Sequence, residues 1–328
     1  MWKKSLLVLA VFIQIACNYE SCAGSKFQPP RVILDADIDS DVDDVGALAM
    51  LLNLHKNKVI NLIGVVVTSD DPYAPRCAAA INAFYGFPEI PVGFLKGQSN
   101  LSNHSRYTKQ IATEFCTTPV SHENFIDAAK LYRSLLAKSP KESVTILTIG
   151  HLSSLQALLK SKADDVSSLD GINLVKKKVK DWICMGGQFP SGKEANFYRP
   201  DPQSTFYCIQ NWNKRVVFCG WEAGNKVITG GKRLKEEFSP KHPVYRAYEL
   251  YNNFAGRSSW DQIAVLQLID IKDEFFFLKR GTCMIADDGS NTWSDDKTGK
   301  HYHIVIQTDT PEENISEYID KLMAGRMK

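Results

Sequence analysis

The sequence predicts an α/β fold, a mostly parallel central sheet flanked by helices, with an active site at the carboxyl ends of the strands. Three observations predict it. Apolar runs at 59–67 (VINLIGVVV), 144–149 (VTILTI), 179–185 (VKDWICM) and 215–219 (RVVFC) read as strands buried on both faces. Helical patterns at 77–86 and 127–137 alternate with them, the order of a parallel sheet. A dense group of acids stands where the apolar run Val32-Ile33-Leu34 ends and a helical pattern begins at Val45, where open α/β sheets place their ligands.

In chain order, residues 1–24 read as an export signal. Trp2-Lys3-Lys4 is the positive start and 6–16 the apolar core, too short to span a membrane. Cleavage after Ala23 is one expectation. Lipidation at Cys17, within Ile15-Ala16-Cys17, is the other, giving an anchored lipoprotein rather than a free exported protein. About 300 residues remain, 25–328, enough for one large α/β domain. Hydrophobic content of 44% supports a full core, and a net charge of +2 carries no nucleic-acid or membrane signature. Cys77, Cys116, Cys184, Cys208, Cys219 and Cys283 form no C-x-x-C pair, which argues against zinc; Cys184 and Cys219 lie in strand-like runs and are expected as buried thiols.

The stretch 31–50, RVILDADIDSDVDDVGALAM, organises the chain. Asp35, Asp37, Asp39, Asp41, Asp43 and Asp44 place six carboxylates in ten positions, which repel one another unless neutralised. A hard divalent cation with oxygen ligands is the simplest remedy. Asp43 and Asp44 also fall in the first helical turn, where the dipole favours negative charge. An EF-hand does not fit: counted from Asp37, the sixth position is Val42, not Gly, and the twelfth is Leu48, not Glu. A solvated acidic loop fits poorly with an apolar strand running straight into the acids.

The segment ILDADIDSDVDDVGAL resembles the opening of the nucleoside hydrolases of the inosine-uridine preferring type, whose usual motif is D-x-D-x-G-x-D-D. Here the loop is two residues longer, and Asp39 stands where Gly is common. Either Asp35 and Asp37 or Asp37 and Asp39 match the first pair; the former keeps Ile33 and Leu34 at the strand end. The resemblance implies Ca²⁺ held by Asp37, Asp44, the main-chain carbonyl of Ile149 and Asp261. It implies that Asp37 acts as the base toward water and that Asp43, or Asp41 in the longer loop, orients a sugar hydroxyl.

Further along, the strand at 59–67 ends in Thr68-Ser69-Asp70-Asp71-Pro72, where the family carries an Asn beside the metal; Asp70 or Asp71 takes that place. Residues 100–124 are polar and irregular, a stretch suited to a lid. Gly150-His151-Leu152-Ser153-Ser154 departs from the family's G-P/G-L-T-N, but a carbonyl ligand at Ile149 needs no particular side chain. Glu194-Ala195-Asn196 followed by Asp201-Pro202 resembles the E-F-N-x-x-x-D-P segment that grips ribose hydroxyls. Glu194 and Asn196 would face one side of an extended segment. Glu222 and Asn225 either line the cleft or cap the next segment. Trp260-Asp261 resembles H-D-P/A-x-A-V, with Asp261 as the ligand and Trp260 in place of the His proposed as leaving-group acid in several members. Trp260 is suited to stack on a base.

The tail 275–306 reads as β-rich, with a turn at 287–290, an edge strand at His301-Tyr302-His303 and a closing helix at 314–323. The resemblance covers roughly 31–270. The expected activity is Ca²⁺-dependent hydrolysis of the N-glycosidic bond of ribonucleosides or related N-ribosides by a homo-oligomer, a dimer or a tetramer. Two alternatives stay open: an exported nucleoside- or sugar-binding protein without turnover, and a phosphatase of the haloacid dehalogenase type with Asp35 as nucleophile.

Overall fold

A computed structural model describes residues 28–97, 101–116 and 121–326; the expected signal and Cys17 lie outside them. The strands are β1 (Arg31–Ala36), β2 (Asn61–Val67), β3 (Val92–Phe94), β4 (Ile126–Asp127), β5 (Val144–Thr148), β6 (Val179–Met185), β7 (Ser191–Gly192), β8 (Val216–Cys219), β9 (Ile228–Thr229), β10 (Arg257–Ser258), β11 (Phe276–Ile285), β12 (Asn291–Asp295) and β13 (His301–Ile306). Eleven of them form one sheet in the order β4-β3-β2-β1-β5-β6-β8-β13-β11-β12-β7; β9 and β10 pair separately. From β4 through β13 every pairing is parallel, while β11, β12 and β7 extend the sheet antiparallel.

The chain lays β1 to β4 outward in one direction, then returns to the other side of β1 with β5, β6 and β8. Connections leaving β1 and β5 therefore diverge, which opens a crevice above their carboxyl ends. Side chains alternate across the sheet. Val32, Leu34 and Ala36 enter one core, which includes the helices Asp43–Lys56, Trp260–Leu266 and Glu312–Met323. Ile33 enters the other, with Ala128–Lys138, Ser153–Lys160, Gly171–Lys178 and Pro202–Asn211. The helix Asp43–Lys56 is buried from Asp43 to Leu54, which explains why its sequence is apolar on all sides.

Gly46 sets how closely that helix meets its neighbours. A Cβ there would lie 2.5 Å from Gln262 Nε2 and 2.6 Å from the Tyr248 hydroxyl, so other helices pack directly on its backbone. The N-termini of Asp43–Lys56 and Trp260–Leu266 are thereby brought together, and both carry acids.

The predicted tail strands and closing helix are present, the helix as Glu312–Met323. His301-Tyr302-His303 is not an edge, however. The β11–β12 hairpin folds outward, so β13 inserts between β8 and β11. Its two histidines serve the packing: His301 Nδ1 accepts from the Cys283 amide, and His303 stacks on Phe189. Cys184 and Cys219 are buried free thiols, as expected. Among the described residues no helix is long and apolar enough to cross a membrane.

Candidate active site

A cavity of about 1050 Å³ lies over the carboxyl ends of β1 and β5. Asp37, Asp43, Asp44, Asp70, Ile149, Glu194, Asn196, Trp260 and Asp261 all line it, joined by Asp39, Asp41, His104, His151, Trp221 and Arg257. Asp35 does not. It follows Ile33 to the opposite face of the sheet, where the Tyr132 hydroxyl donates to its Oδ2 at 2.7 Å. Burial pushes its carboxyl up to about 8. A phosphatase nucleophile at Asp35 would have no access to the cleft.

The acids divide into two sets. Asp37, Asp43, Asp44 and Asp261 form the inner set. Asp37 and Asp44 hydrogen-bond each other. Asp43 Oδ2 accepts from the Asp261 amide at 3.4 Å, so one acid-bearing helix helps cap the other. Burial, and then repulsion among neighbouring acids, raises all four carboxyls well above the usual range. Asp43 Oδ1 and Asp44 Oδ1 are buried without a hydrogen-bond partner. Among the described residues no Lys, Arg or His forms an ion pair with this set. Asp41, Asp43 and Asp44 each bring one oxygen within 4.8 Å of the others, close enough to share a metal ion.

The outer set, Asp39 and Asp41, has partners from the chain itself. Arg257 Nη2 donates to Asp41 Oδ2, and the Arg257 guanidinium lies 4.7 Å from the Trp260 ring centre. The Tyr107 hydroxyl holds the Asp41 carbonyl at 2.7 Å. Asp39 accepts from Ser69 Oγ at 2.5 Å and faces His104 Nε2 at 3.5 Å. Ile38 separates Asp37 from Asp39 at φ +49°, a left-handed conformation that a β-branched residue seldom adopts. That turn sends consecutive odd-numbered acids to different partners.

The sugar-gripping segment departs from its expected form. Glu194 and Asn196 do not lie on an extended strand. Glu194 is the N-cap of the short helix Ala195–Tyr198, because its carboxylate accepts from the Asn196 amide at 2.9 Å and the Gly187 amide at 3.0 Å. Both residues still reach the same cleft. Burial lifts the Glu194 carboxyl to about 7 against those hydrogen bonds. Asn196 Nδ2 donates to the Ile149 carbonyl at 3.0 Å, tying the end of β5 to this segment.

Of the undecided residues, neither Glu222 nor Asn225 lines the cavity: Glu222 Oε2 accepts from the Phe189 amide, and Asn225 closes the helix Trp221–Gly224. Asp70 lies on the cleft near His104, whereas Asp71 is buried and binds Thr108 and Asn103. His151 is buried against Thr68 and Ser153, and burial lowers it to about 4. His104, Arg257 and Trp221 went unnoticed in the sequence. Arg257 lies three residues before Trp260, a weak signal; His104, in the irregular 100–124 stretch, carries none.

A parallel sheet with a carboxylate-lined cleft over its switch point is the arrangement of an α/β enzyme, with acids placed close enough to share a metal ion. The profile of the inosine-uridine preferring nucleoside hydrolases matches residues 32–315, and the chain belongs to that family. It is an N-glycosidase, with hydrolysis of the N-glycosidic bond of nucleosides as its activity. The match runs past residue 270 through the β-rich tail, further than the motifs alone indicated.

Solved structures share the fold. A plant nucleoside hydrolase is 18% identical, with a TM-score of 0.68 over 90% of this chain and 99% of that one. The inosine-uridine preferring nucleoside hydrolase of Bacillus anthracis is 18% identical, with a TM-score of 0.64 and the same coverage. A purine-preferring ribonucleoside hydrolase from Gardnerella vaginalis is 17% identical, with a TM-score of 0.66 over 91% of this chain and 100% of that one. A comparison with curated proteins finds no match.

Proposed function

We propose that this N-glycosidase depends on Ca²⁺ and acts on ribonucleosides or related N-ribosides, releasing ribose and free base. The observation that carries the proposal is the inner acid set, four buried carboxylates without a cationic side chain in ion-pair contact. Unneutralised, such a cluster is strongly unfavourable. The donor set fits a hard cation: it offers only oxygens, and two of them are buried without a partner. Asp37, Asp44, the Ile149 carbonyl and Asp261 would hold it. When bound, it supplies Lewis-acid chemistry that makes a neighbouring water more acidic.

The remaining roles fall to the chain. Asp37 takes a proton from the attacking water. Asp43 orients a sugar hydroxyl. The Glu194 carboxylate, aligned by two amide N–H groups, accepts from another hydroxyl. Asn196 spends its Nδ2 on Ile149, Met185 or both, which fixes the amide so that Oδ1 faces the sugar. Trp260 stacks on the base, and Asp70 meets it at the rim. The neighbours named for purine and for inosine-uridine preference are the reason to test both kinds of base.

The test is ribose release from a panel of purine and pyrimidine ribonucleosides, with Ca²⁺ and after chelation. Release that disappears on chelation and returns with Ca²⁺ is the expected result. Binding of Ca²⁺ and ribose without product from any nucleoside would instead identify a binding protein. We further propose that residues 1–24 direct export and that Cys17 carries lipid when cleavage does not follow Ala23. The intact mass of the mature chain distinguishes the two forms.

A further inference from the structure

Within the proposed hydrolase, we infer that His104, held by Asp39, is the group that protonates the departing base. The reaction needs such a group, because a purine or pyrimidine leaves poorly as an anion. The residue at the motif position for that task is Trp260, whose indole N–H donates to the Trp221 carbonyl at 2.9 Å and has no proton to release.

The other basic groups facing the cleft are unsuited. His151 is buried and neutral at pH 7, its ring held by Thr68 and Ser153. Lys193 is paired with Asp288. Arg257 is bound to Asp41 and Arg199 lies over the Tyr198 ring, and neither guanidinium gives up a proton. His104 differs from all of these. Its side chain is 43% exposed, on the cavity wall, and its Nε2 faces Asp39 Oδ1 at 3.5 Å. Its Nδ1 lies 3.9 Å from Asp70 Oδ1, too far for a hydrogen bond, so that N–H remains free to be given to a ligand.

Asp39 is itself fixed from the other side by Ser69 Oγ. Asp39 thus presents Oδ2 to Ser69 and Oδ1 to the His104 ring, which holds the imidazole against the cleft wall. The hydrogen bond to Asp39, with the negative charge of Asp39, Asp70 and the more distant Asp71, lifts His104 to about 9. The imidazolium is therefore the dominant form at neutral pH. Two departures from the family motif then have one explanation: an acid where Gly is common holds a new proton donor, and an aromatic ring takes the position of the old one.

The step balances. As the C–N bond breaks, the imidazolium N–H passes to the base nitrogen and the base leaves neutral. The water oxygen bonds to the anomeric carbon and its proton goes to Asp37. Solvent returns a proton to His104, and Asp37 releases its own. Asp39 touches no substrate and is a positioning residue.

The experiment compares His104→Gln, Asp39→Asn and Asp37→Asn on two substrates in the presence of Ca²⁺: a good ribonucleoside, and 4-nitrophenyl riboside, whose phenolate needs no proton to leave. His104→Gln is expected to lower kcat on the nucleoside roughly 10²–10⁴-fold and to stay within about threefold of wild type on the nitrophenyl riboside. Asp37→Asn is expected to lose both. Wild-type kcat/KM on the nucleoside should fall above about pH 9, and in Asp39→Asn that limb should move toward the ordinary histidine range. The His104 ring proton, followed by NMR, should report the same two midpoints. Equal losses on both substrates, no loss on either, or a basic limb unmoved by Asp39→Asn would each overturn the role of His104 and leave the hydrolase standing. A wild-type protein that cleaves neither substrate would overturn the hydrolase proposal itself.

Discussion

Asp37, Asp43 and Asp44 share one loop with Asp39 and Asp41, yet the two groups meet opposite surroundings. Asp39 and Asp41 are matched by His104 and Arg257, each from a distant part of the chain. Asp37, Asp43 and Asp44, with Asp261, are buried together, and all four carboxyls are raised by burial and repulsion. For Asp39 and Asp41 the chain itself supplies the countercharge. For the inner set the described residues supply no ion-pair partner, which is the reason a bound cation is proposed there. The acid pattern alone does not say which is which; the partner does.

The largest expected effect tests the inner set. Asp37→Asn should reduce kcat roughly 10³-fold, in the range expected for loss of a general base, with nucleoside KM little changed. A residual rate within tenfold of wild type would move the base elsewhere. Next comes the packing that brings the two acid-bearing helices together. Gly46→Ala puts a methyl against Gln262 and Tyr248 and should cost about 1–3 kcal/mol in urea unfolding, as overpacked sites do. Calcium affinity by calorimetry should weaken with it. Unchanged affinity would show that the inner set tolerates displacement of its helices.

A smaller effect of opposite sign sharpens the contrast. Arg257→Gln frees Asp41, which already lies within 4.8 Å of Asp43 and Asp44. Calcium binding should tighten severalfold, by about 1 kcal/mol, as charge is added to the site. Weaker binding would mean that Arg257 organises the cluster rather than withholding one acid from it.

The smallest effect concerns Asp35, the acid that belongs to neither set. Burial pushes its folded carboxyl up to about 8, above the unfolded value of about 3.9. The folded state thus binds the proton more tightly. The contribution is fully present below pH 4 and is lost as pH rises toward 8. Asp35→Asn keeps an acceptor for the Tyr132 hydroxyl and removes this dependence. The wild-type Tm should fall by roughly a few degrees between pH 5 and 8 relative to the variant. Parallel curves would show that Asp35 is ionised in the fold.

Much of this was legible in the chain. The strands at 32–34, 144–149, 179–185 and 215–219 are runs of apolar residues that have nowhere to go but a sheet covered on both faces. Asp37, Asp43, Asp44, Asp70, Ile149, Glu194, Asn196, Trp260 and Asp261 line the cleft, because strand ends followed by polar residues converge at a switch point, whereas Glu222, Asn225 and Asp71 do not. Other features were not legible. Glu194-Ala195-Asn196 reads equally well as an extended pair or a capped turn, and two amide N–H groups decided for the cap. His301-Tyr302-His303 has the alternation of an edge strand, and only the outward fold of β11–β12 buried it between neighbours.

By itself, then, the sequence determined the α/β class, the run of acids at a strand end and the family to which the chain belongs. These depend on local periodicity and on motifs within a few consecutive residues. The tertiary structure alone decided which acids are neutralised within the protein and which share the buried cluster. It brought His104 to Asp39 and, across more than two hundred residues of chain, Arg257 to Asp41 and Asp261 to Asp43. Electrostatic pairing depends on distance in space and on desolvation, and neither is written in the order of the residues.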